Sequence, residues 1–530
     1  MVRHLTPRPD SLLCAALAAD LDAADLRSEP LRDAWGAEAD DALARGIRSP
    51  LLRALAARTD PLATLGRLFV LGMPQPLSDV AAALPRTGVD GVERLGLAYR
   101  SDDLVVPAAL IRPQSFVDAD GVGEWWIASD LDELALQHLD EDGVLPPDHV
   151  LGVGGASRTL ASLVMPIEVE RALDLGTGCG IQALLVSRHA GSVVATDISE
   201  RALAYAELNA MLAGVHNIEF RLGSLFEPVA GESFGLIVSN PPFVITPRGA
   251  DVPEYEYRDG GLVGDALVEA FVRTAPQHLV PGGSAQLLGN WESIDPSTGP
   301  GAGATGSETG ALGVRRLESW IDPALDAWVV QRETLSPLGY AELWIRDGGT
   351  TPRDPAFDSL LDAWLDDFDA RGVTEIGFGY VLIRRPAVRE SGTPVPPLRR
   401  FETIAQAVTS AGRAFRDGLA GHDALADGVP DRLLVAPDVT EARHHIPGQD
   451  APSVIELRQG GGFGRTVSVD PALAGFVGVC DGELTVGQIT SALAELFEVP
   501  PAALWADLEP RLRTLVTDGF LVPVDPDIAE

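Results

Sequence analysis

The segment from Ala172 to Val186 constrains the fold more than any other part of this 530-residue chain. An apolar run leads into a turn with glycines at three alternate positions, and a helical stretch follows directly. Glycine lets the backbone pass close to a ligand, and the first N–H groups of a helix have no partner within that helix. The pattern therefore predicts a strand, a turn and a helix that together hold a nucleotide-type cofactor.

Apolar runs alternate with helical stretches from about residue 146 to residue 388. The runs that read as strands begin at Ala172, Ser192, Ile218, Leu236 and Ser284. Such alternation predicts βαβ units on a mostly parallel sheet, because a parallel strand can be reached only through a crossover connection.

The spacing of the glycines distinguishes between possible cofactors. A dinucleotide fold uses G-x-G-x-x-G, whereas here the glycines stand at every second position after Asp174. The second apolar run ends in Asp197, 17 residues after Gly180, where a carboxylate can accept both hydrogen bonds of a ribose diol. We interpret Asp197 as a ribose ligand, with a nicotinamide cofactor as the main alternative.

The pattern D-x-G-x-G-x-G from Asp174 to Gly180 resembles motif I of class I S-adenosylmethionine-dependent methyltransferases. The resemblance implies an α/β fold with a doubly wound, mostly parallel seven-stranded sheet, and S-adenosyl-L-methionine as the cofactor. It also implies that Asp174 faces the methionine part of the cofactor across the glycine turn.

One segment departs from the pattern of that family. Gly223-Ser-Leu-Phe resembles the G-D-L-F segment, in which the family's Asp contacts the adenine amino group, but here Ser224 takes that place. We expect the serine hydroxyl or the backbone to read adenine, with lower affinity for the cofactor. The residues predicted to bind the cofactor are Asp174, Gly176, Thr177, Gly178, Cys179, Gly180, Asp197, Ile198, Ser224, Leu225 and Asn240.

The segment Asn240-Pro241-Pro242-Phe243 follows the fourth predicted strand. It resembles the [N/D/S]-P-P-[Y/F/W] motif of amino-methyltransferases that act on planar nitrogens, among them release-factor glutamine, ribosomal RNA guanine and DNA adenine methyltransferases. The Asn240 side-chain oxygen and the Pro241 carbonyl can each accept one N–H of an acceptor, and Phe243 can stack on its flat face. We predict that these four residues are catalytic through positioning, without a strong general base.

Two further stretches are candidates for the walls of the site. The loop from Glu254 to Asp265 resembles the substrate loop of the glutamine and RNA enzymes, which implies that Tyr257, Arg258 and Gly261 join Phe243 in binding the acceptor. An ordinary acidic loop is the alternative. The glycine-rich stretch from Leu151 to Leu163 either caps the pocket or serves as a linker.

The catalytic segment is flanked by two modules. We expect a helical, winged-helix-like module over residues 1–145, a catalytic domain over 146–388 and an α+β module with a winged-helix-like pattern over 389–530. In the last module, Thr485 and Gln488 form a predicted capping box. The flanking modules are candidates for oligomer contacts.

Charge and cysteine content narrow the choice of partner and compartment. A net charge of −37 disfavours nucleic acid, and it indicates either an acidic surface that keeps the protein soluble or a basic protein partner. Cys14, Cys179 and Cys480 are far apart, which predicts neither disulfides nor a metal site. We expect a cytoplasmic protein that does not enter the membrane.

These observations predict an N-methyltransferase that acts on a protein side chain, glutamine or lysine. An RNA or DNA amino-methyltransferase is the first alternative. A cofactor-binding scaffold without turnover is the second.

Overall fold

A computed structural model describes residues 4–118, 121–139, 146–248, 260–295, 309–387, 395–404, 406 and 408–524. The α-helices are α1 Ser11–Ala23, α2 Ser28–Trp35, α3 Ala37–Ala44, α4 Ser49–Leu55, α5 Pro61–Leu65, α6 Leu77–Ala83, α7 Gly88–Arg94, α8 Glu133–Leu139, α9 Gly155–Leu163, α10 Ile181–Val186, α11 Glu200–Ala213, α12 Ala266–Thr274, α13 Thr309–Trp320, α14 Pro337–Asp347, α15 Phe357–Arg371, α16 Ala411–Ala424, α17 Pro471–Val477, α18 Val486–Leu496 and α19 Pro501–Thr517. The strands are β1 Gln75–Pro76, β2 Ala98–Ser101, β3 Leu104–Pro107, β4 Leu110–Asp118, β5 Gly121–Ser129, β6 Val169–Leu175, β7 Ala190–Asp197, β8 Ile218–Leu222, β9 Phe234–Ser239, β10 Leu279–Ile294, β11 Asp326–Leu335, β12 Val373–Arg384, β13 Arg399–Thr403, β14 Leu433–Val435, β15 Val439–His444, β16 Val454–Gln459, β17 Thr466–Val469 and β18 Leu521–Pro523.

The large central sheet has the strand order β13-β11-β12-β10-β9-β6-β7-β8. Strands β6 to β10 run parallel to one another, and β12 is antiparallel to both of its neighbours. In chain order, β6, β7 and β8 extend the sheet in one direction, and β9 then pairs with β6 on its other side. The predicted doubly wound, mostly parallel sheet is therefore confirmed, and the reversal between β6 and β9 creates a crevice at the carboxyl ends of these strands.

The prediction of seven strands is wrong, because the sheet has an eighth strand in the part of the chain that the structure describes. Strand β13 pairs in parallel with β11 at the edge of the sheet, from beyond residue 388. Its sequence, Arg-Arg-Phe-Glu-Thr, is mostly polar and half-buried, so it lacks the apolar run that marks an interior strand.

The N-terminal helices and the β4–β5 hairpin pack against α11 of the central domain. Leu17 of α1 and Trp126 of β5 belong to the same apolar core as Tyr205 and Leu208 of α11. This shared core joins the two parts of the chain.

Polar contacts reinforce the same junction at Asp130. Its buried carboxylate accepts hydrogen bonds from Arg201 Nε at 2.8 Å, from the Tyr205 hydroxyl at 2.8 Å and from the Val150 backbone N–H at 2.8 Å. These contacts hold the pKa of Asp130 below its usual range against the opposing effect of burial. The carboxylate thus ties the end of β5 both to α11 and to the segment that precedes the first strand of the large sheet.

The C-terminal segment contains helices α16 to α19 and two small sheets, β14-β18 and β15-β16-β17. The predicted capping box is confirmed, since Thr485 and Gln488 exchange side-chain to backbone hydrogen bonds at the start of α18. The winged-helix-like character of either flanking module stays a prediction. Within the described ranges, no helix combines the length and the apolar character needed to cross a membrane.

Candidate functional site

A cavity of about 530 Å³ lies at the carboxyl ends of β6, β7 and β9. This volume is within the range of small-molecule and cofactor sites. Twelve of the predicted site residues line it: Gly176, Thr177, Gly178, Cys179, Asp197, Ile198, Ser224, Leu225, Asn240, Pro241, Pro242 and Phe243. The structure therefore brings the glycine turn, the strand-ending acid and the N-P-P-F segment together around one space.

The glycine turn is open on the side of the cavity. Gly176 and Gly178 have φ values of +74° and +55°, and a Cβ added to either would meet no atom within 4 Å. Gly176 and Thr177 both donate backbone hydrogen bonds to the Thr196 carbonyl at 2.9 Å, which fixes the turn against β7. The turn is rigid and leaves room for a ligand against its backbone.

Gly180 has a different role from the other two glycines. It has a φ of +86°, and an added Cβ would lie 2.9 Å from the Cβ of Ala206 on α11. Gly180 does not line the cavity. A glycine is needed at this position because the turn packs closely against α11, and not because a ligand contacts it.

Asp174 lies behind the turn and does not line the cavity. Its Oδ2 accepts hydrogen bonds from the Thr177 hydroxyl at 2.7 Å and from the Ala183 backbone N–H at 2.9 Å. Its Oδ1 is buried and has no hydrogen-bond partner among the described residues. Burial raises the pKa of Asp174 to about 7. The side chain braces the turn, and one of its oxygens remains available to a donor.

Asp197 ends β7 beside the turn. Its Oδ2 accepts the Gly178 backbone N–H at 2.9 Å, and its Oδ1 accepts the Ser199 backbone N–H at 3.0 Å. Burial raises the pKa of this carboxyl. Each carboxylate oxygen has a further lone pair, so the oriented group can still accept hydrogen bonds from a diol.

The segment after β8 supplies another wall. The Gly223 backbone N–H donates to the Asp197 carbonyl at 2.9 Å, which brings Ser224 next to Asp197. Ser224 is exposed, and Leu225 has a φ of +46°, a conformation that is strained for a branched side chain. Burial of the neighbouring Phe226 side chain holds this strained turn in place.

The N-P-P-F segment places an unsatisfied acceptor beside the cavity. Ser239, the last residue of β9, donates its hydroxyl to the Leu175 carbonyl at 2.8 Å and so fixes β9 to β6. The Asn240 Oδ1 atom is buried and has no hydrogen-bond partner within the described ranges. Phe243 is half-buried, with its ring centroid 5.7 Å from that of Phe378. Asn240 and Phe243 therefore line the same cavity, and the Asn240 side chain has an oxygen that lacks a donor.

The predicted substrate loop is only partly described. Tyr257 and Arg258 lie outside the described residues. Gly261 is described but does not line the cavity, whereas its neighbours Gly260 and Leu262 do. Arg248 Nη2 donates to the Leu262 carbonyl at 2.6 Å.

Sequence reasoning missed part of the cavity wall. Leu151, Gly152 and residues 154–157 line the cavity, which favours the capping interpretation of that glycine-rich stretch over the linker. Trp344 and Asp347 of α14 also line it, and neither was predicted. No sequence motif marks these two residues. They lie at the cavity because Tyr340 of the same helix packs against the segment after Phe243.

Two family models match segments of this chain. The family model described as "Methyltransferase small domain" matches residues 151–293. A second model, described as a domain of unknown function (DUF7059), matches residues 23–109. Residues 151–293, which include the glycine turn, Asp197 and the N-P-P-F segment, are therefore similar to a methyltransferase domain.

Curated relatives of this chain include glutamine methyltransferases. A ribosomal protein uL3 glutamine methyltransferase from Bradyrhizobium diazoefficiens is 33% identical over 164 residues, which is 28% of this chain and 50% of the relative. A release factor glutamine methyltransferase from Xylella fastidiosa is 37% identical over 131 residues, 23% of this chain and 48% of the relative. This chain thus spans about half the length of these relatives.

Solved structures align over parts of the chain. A ribosomal protein L11 methylase from Lactobacillus delbrueckii subsp. bulgaricus is 27% identical, with a TM-score of 0.21, over 27% of this chain and 65% of the other. A methyltransferase from Pyrococcus furiosus is 14% identical, with a TM-score of 0.26, over 48% of this chain and 94% of the other.

The residues present fit S-adenosylmethionine. The open face of Gly176 and Gly178 leaves room for the ligand, and Asp174 braces the turn from behind through Thr177. Asp197 lines the same cavity, where its spacing in the sequence predicts a ribose ligand. Each of these assignments to a part of the cofactor stays a prediction.

Proposed function

We propose that this chain is a protein N-methyltransferase that transfers a methyl group from S-adenosylmethionine to the side-chain amide of glutamine. The observation that carries the proposal is the partnerless Asn240 Oδ1 in an N-P-P-F segment that lines the cavity. A buried acceptor without a donor costs roughly 1–3 kcal/mol, and a bound amide N–H would remove that cost.

An amide nitrogen is a poor nucleophile because its lone pair is delocalised. Asn240 Oδ1 and the Pro241 carbonyl would each accept one N–H of the target amide, which aims the nitrogen towards the methyl group. Pro241 and Pro242 restrict the backbone that carries this carbonyl. Phe243, held by Phe378, would cover the flat face of the amide. The residues therefore act by binding and orienting.

When bound, the cofactor supplies an electrophilic methyl group on a cationic sulfur. Its positive charge provides the driving force, so the protein does not need a strong base. In our proposal the N–H that faces the Pro241 carbonyl gives its proton to solvent water as positive charge develops on the nitrogen, while the other N–H keeps its hydrogen bond to Asn240 Oδ1.

The acceptor in this proposal is a protein, presented as a basic or neutral segment. Curated relatives are named as glutamine methyltransferases of a ribosomal protein and of a release factor. The net charge of −37 repels polyanions and attracts basic segments. We place the reaction in the cytoplasm, in keeping with Cys14, Cys179 and Cys480 being free thiols.

The test is transfer of labelled methyl from S-adenosylmethionine into the protein, RNA and DNA fractions of an extract from cells that lack this protein. We expect label in protein only, and none with Asn240→Ala. A matched control is Asn217→Ala, which removes an amide outside the cavity wall, where it donates to the Ser187 and Ala190 carbonyls.

Each outcome of this test separates the proposed function from a rival. Label in RNA or DNA that depends on Asn240 would replace the proposal with a nucleic-acid amino-methyltransferase. Binding of S-adenosylhomocysteine with no transfer to any fraction would favour a scaffold without turnover. Full activity of Asn240→Ala would contradict the role given to that side chain.

A further inference from the structure

Helix α14 carries a tyrosine that is bonded to the segment after Phe243. Tyr340 is 2% exposed, and its hydroxyl accepts a hydrogen bond from the Ile245 backbone N–H at 3.0 Å. The same hydroxyl accepts the Asn290 side-chain Nδ2 at 2.6 Å. Ile245 stands two residues after Phe243, so this contact fixes the main chain where the N-P-P-F segment ends.

We propose that Tyr340 is a positioning residue for methyl transfer, holding the backbone from Asn240 to Phe243 in the orientation that aims the acceptor nitrogen. The inference rests on the proposed function. Tyr340 does not line the cavity, so it acts through Ile245 rather than by touching the substrate.

The composition of the segment makes this anchor important. Pro241 and Pro242 have no backbone N–H, so two of the donors that a chain ordinarily uses to fix itself are missing. The Ile245 N–H, just beyond the two prolines, is a donor, and the Tyr340 hydroxyl accepts its hydrogen bond. Because this bond is buried, breaking it is costly.

The central sheet supports the anchor from behind. Asn290 lies on β10 directly opposite Phe378 of β12, and the Phe378 ring contacts Phe243. This pair of neighbouring sheet residues therefore supports the N-P-P-F segment at two points. Asn290 bonds to Tyr340, which holds Ile245. Phe378 contacts Phe243 directly. Asn290 is 2% exposed, and its Oδ1 has no hydrogen-bond partner among the residues described, so its ordered contact is the one to Tyr340.

The same helix also forms the cavity wall near this segment. Trp344 follows Tyr340 by one helical turn, with the two ring centroids 6.1 Å apart, and it lines the cavity together with Val244. Loss of the Tyr340 hydroxyl would thus loosen the N-P-P-F segment and the wall next to it while leaving the glycine turn and Asp197 in place.

The test is Tyr340→Phe in the full chain, which removes one oxygen and keeps the ring. We expect kcat to fall by about 10-fold or more, because small misplacements of a reacting group cost large factors in rate. The KM for the acceptor and the Kd for S-adenosylhomocysteine should change less than about twofold, since neither depends on the exact orientation of the acceptor nitrogen towards the methyl group. Amide hydrogen exchange at Ile245 should become at least about 10-fold faster.

Tyr380→Phe is the matched control. Tyr380 is also buried, and its hydroxyl accepts Arg332 Nη1 at 2.8 Å away from the cavity wall. This variant should keep the wild-type kcat and the wild-type exchange rate at Ile245. Asn290→Ala, which leaves the Ile245 bond intact, should lower kcat by less than Tyr340→Phe does.

Unchanged exchange at Ile245 in Tyr340→Phe would overturn the anchor. Faster exchange with an unchanged kcat would overturn the positioning role. A wild-type chain that binds S-adenosylhomocysteine but methylates no protein would contradict the proposed function instead, and the exchange comparison would still decide the anchor because it does not need turnover.

Discussion

The side-chain amide of Asn209 on α11 donates a hydrogen bond to the Cys179 carbonyl in the glycine turn at 2.8 Å. The same amide bonds to both backbone groups of Ala128 on β5, at 2.7 Å to the N–H and 2.9 Å to the carbonyl. One buried side chain therefore links the N-terminal hairpin to the turn that forms the cofactor cavity. The flanking module contributes to the site through this link.

Asn209→Ala should weaken both stability and cofactor binding. It leaves the Cys179 carbonyl and two groups of Ala128 unsatisfied, which should lower the free energy of unfolding by on the order of 3 kcal/mol. The Kd for S-adenosylhomocysteine should rise, because the turn loses a contact that fixes it. Denaturant unfolding and calorimetric titration measure the two effects.

Asn217→Ala is the comparison for Asn209→Ala. It removes two bonds to backbone carbonyls in a partly buried place outside the cavity wall, so it should cost about 1 kcal/mol of stability and leave the Kd unchanged. Equal effects of the two substitutions on the Kd would show that the Asn209 link has no special part in the site.

Asp197→Asn should weaken cofactor binding more than stability. The amide keeps one oxygen for the Gly178 or Ser199 N–H but replaces the other acceptor with a donor, which opposes a ribose hydroxyl. Loss of a charged hydrogen bond predicts a rise in the Kd for S-adenosylhomocysteine of about 10- to 100-fold. Glu200→Gln, at an exposed position three residues later, should bind normally. Normal binding by Asp197→Asn would exclude the ribose assignment.

Asp174 predicts how stability changes with pH in the ligand-free chain. Burial raises its pKa from 3.8 to about 7, so between these values the folded state binds more protons than the unfolded state. The contribution of Asp174 to the free energy of unfolding is therefore largest below pH 3.8 and is lost as the pH rises through about 7.

The measurement is denaturant unfolding of wild type and Asp174→Asn at several pH values. Glu292 also has a pKa raised to about 7 by burial, so only the difference between the two proteins isolates Asp174. Relative to wild type, the variant should gain stability steadily from pH 4 to pH 7. A difference that does not vary with pH would mean that Asp174 is not protonated in the folded state.

The sequence predicted those parts of the site that follow from contiguous residues. The glycine turn, Asp197 and the N-P-P-F segment each combine a strand end with a recognisable pattern, and parallel strands bring their carboxyl ends to one edge. Trp344 and Tyr340 were missed because their roles depend on how α14 packs against a segment about 100 residues earlier in the chain. Such packing leaves no local pattern.

The sequence also could not distinguish ligand contacts from structural glycines and acids. Gly180 and Asp174 belong to the same motif as Gly176 and Gly178, yet they face Ala206 and the start of α10 rather than the cavity. The strand β13 was missed because an edge strand with one partner needs little apolar surface. Alternation of buried residues marks interior strands well and edge strands poorly.

Methyl transfer to a glutamine amide leaves a product that chemical analysis can identify. Protein labelled by this chain from S-adenosylmethionine would be digested, and the methylated residue located by fragment mass spectrometry. A companion sample would be hydrolysed in acid. We expect one methyl group on a glutamine side chain and release of the label as methylamine, with neither found for Asn240→Ala. Label that survives hydrolysis on lysine or another side chain would contradict it.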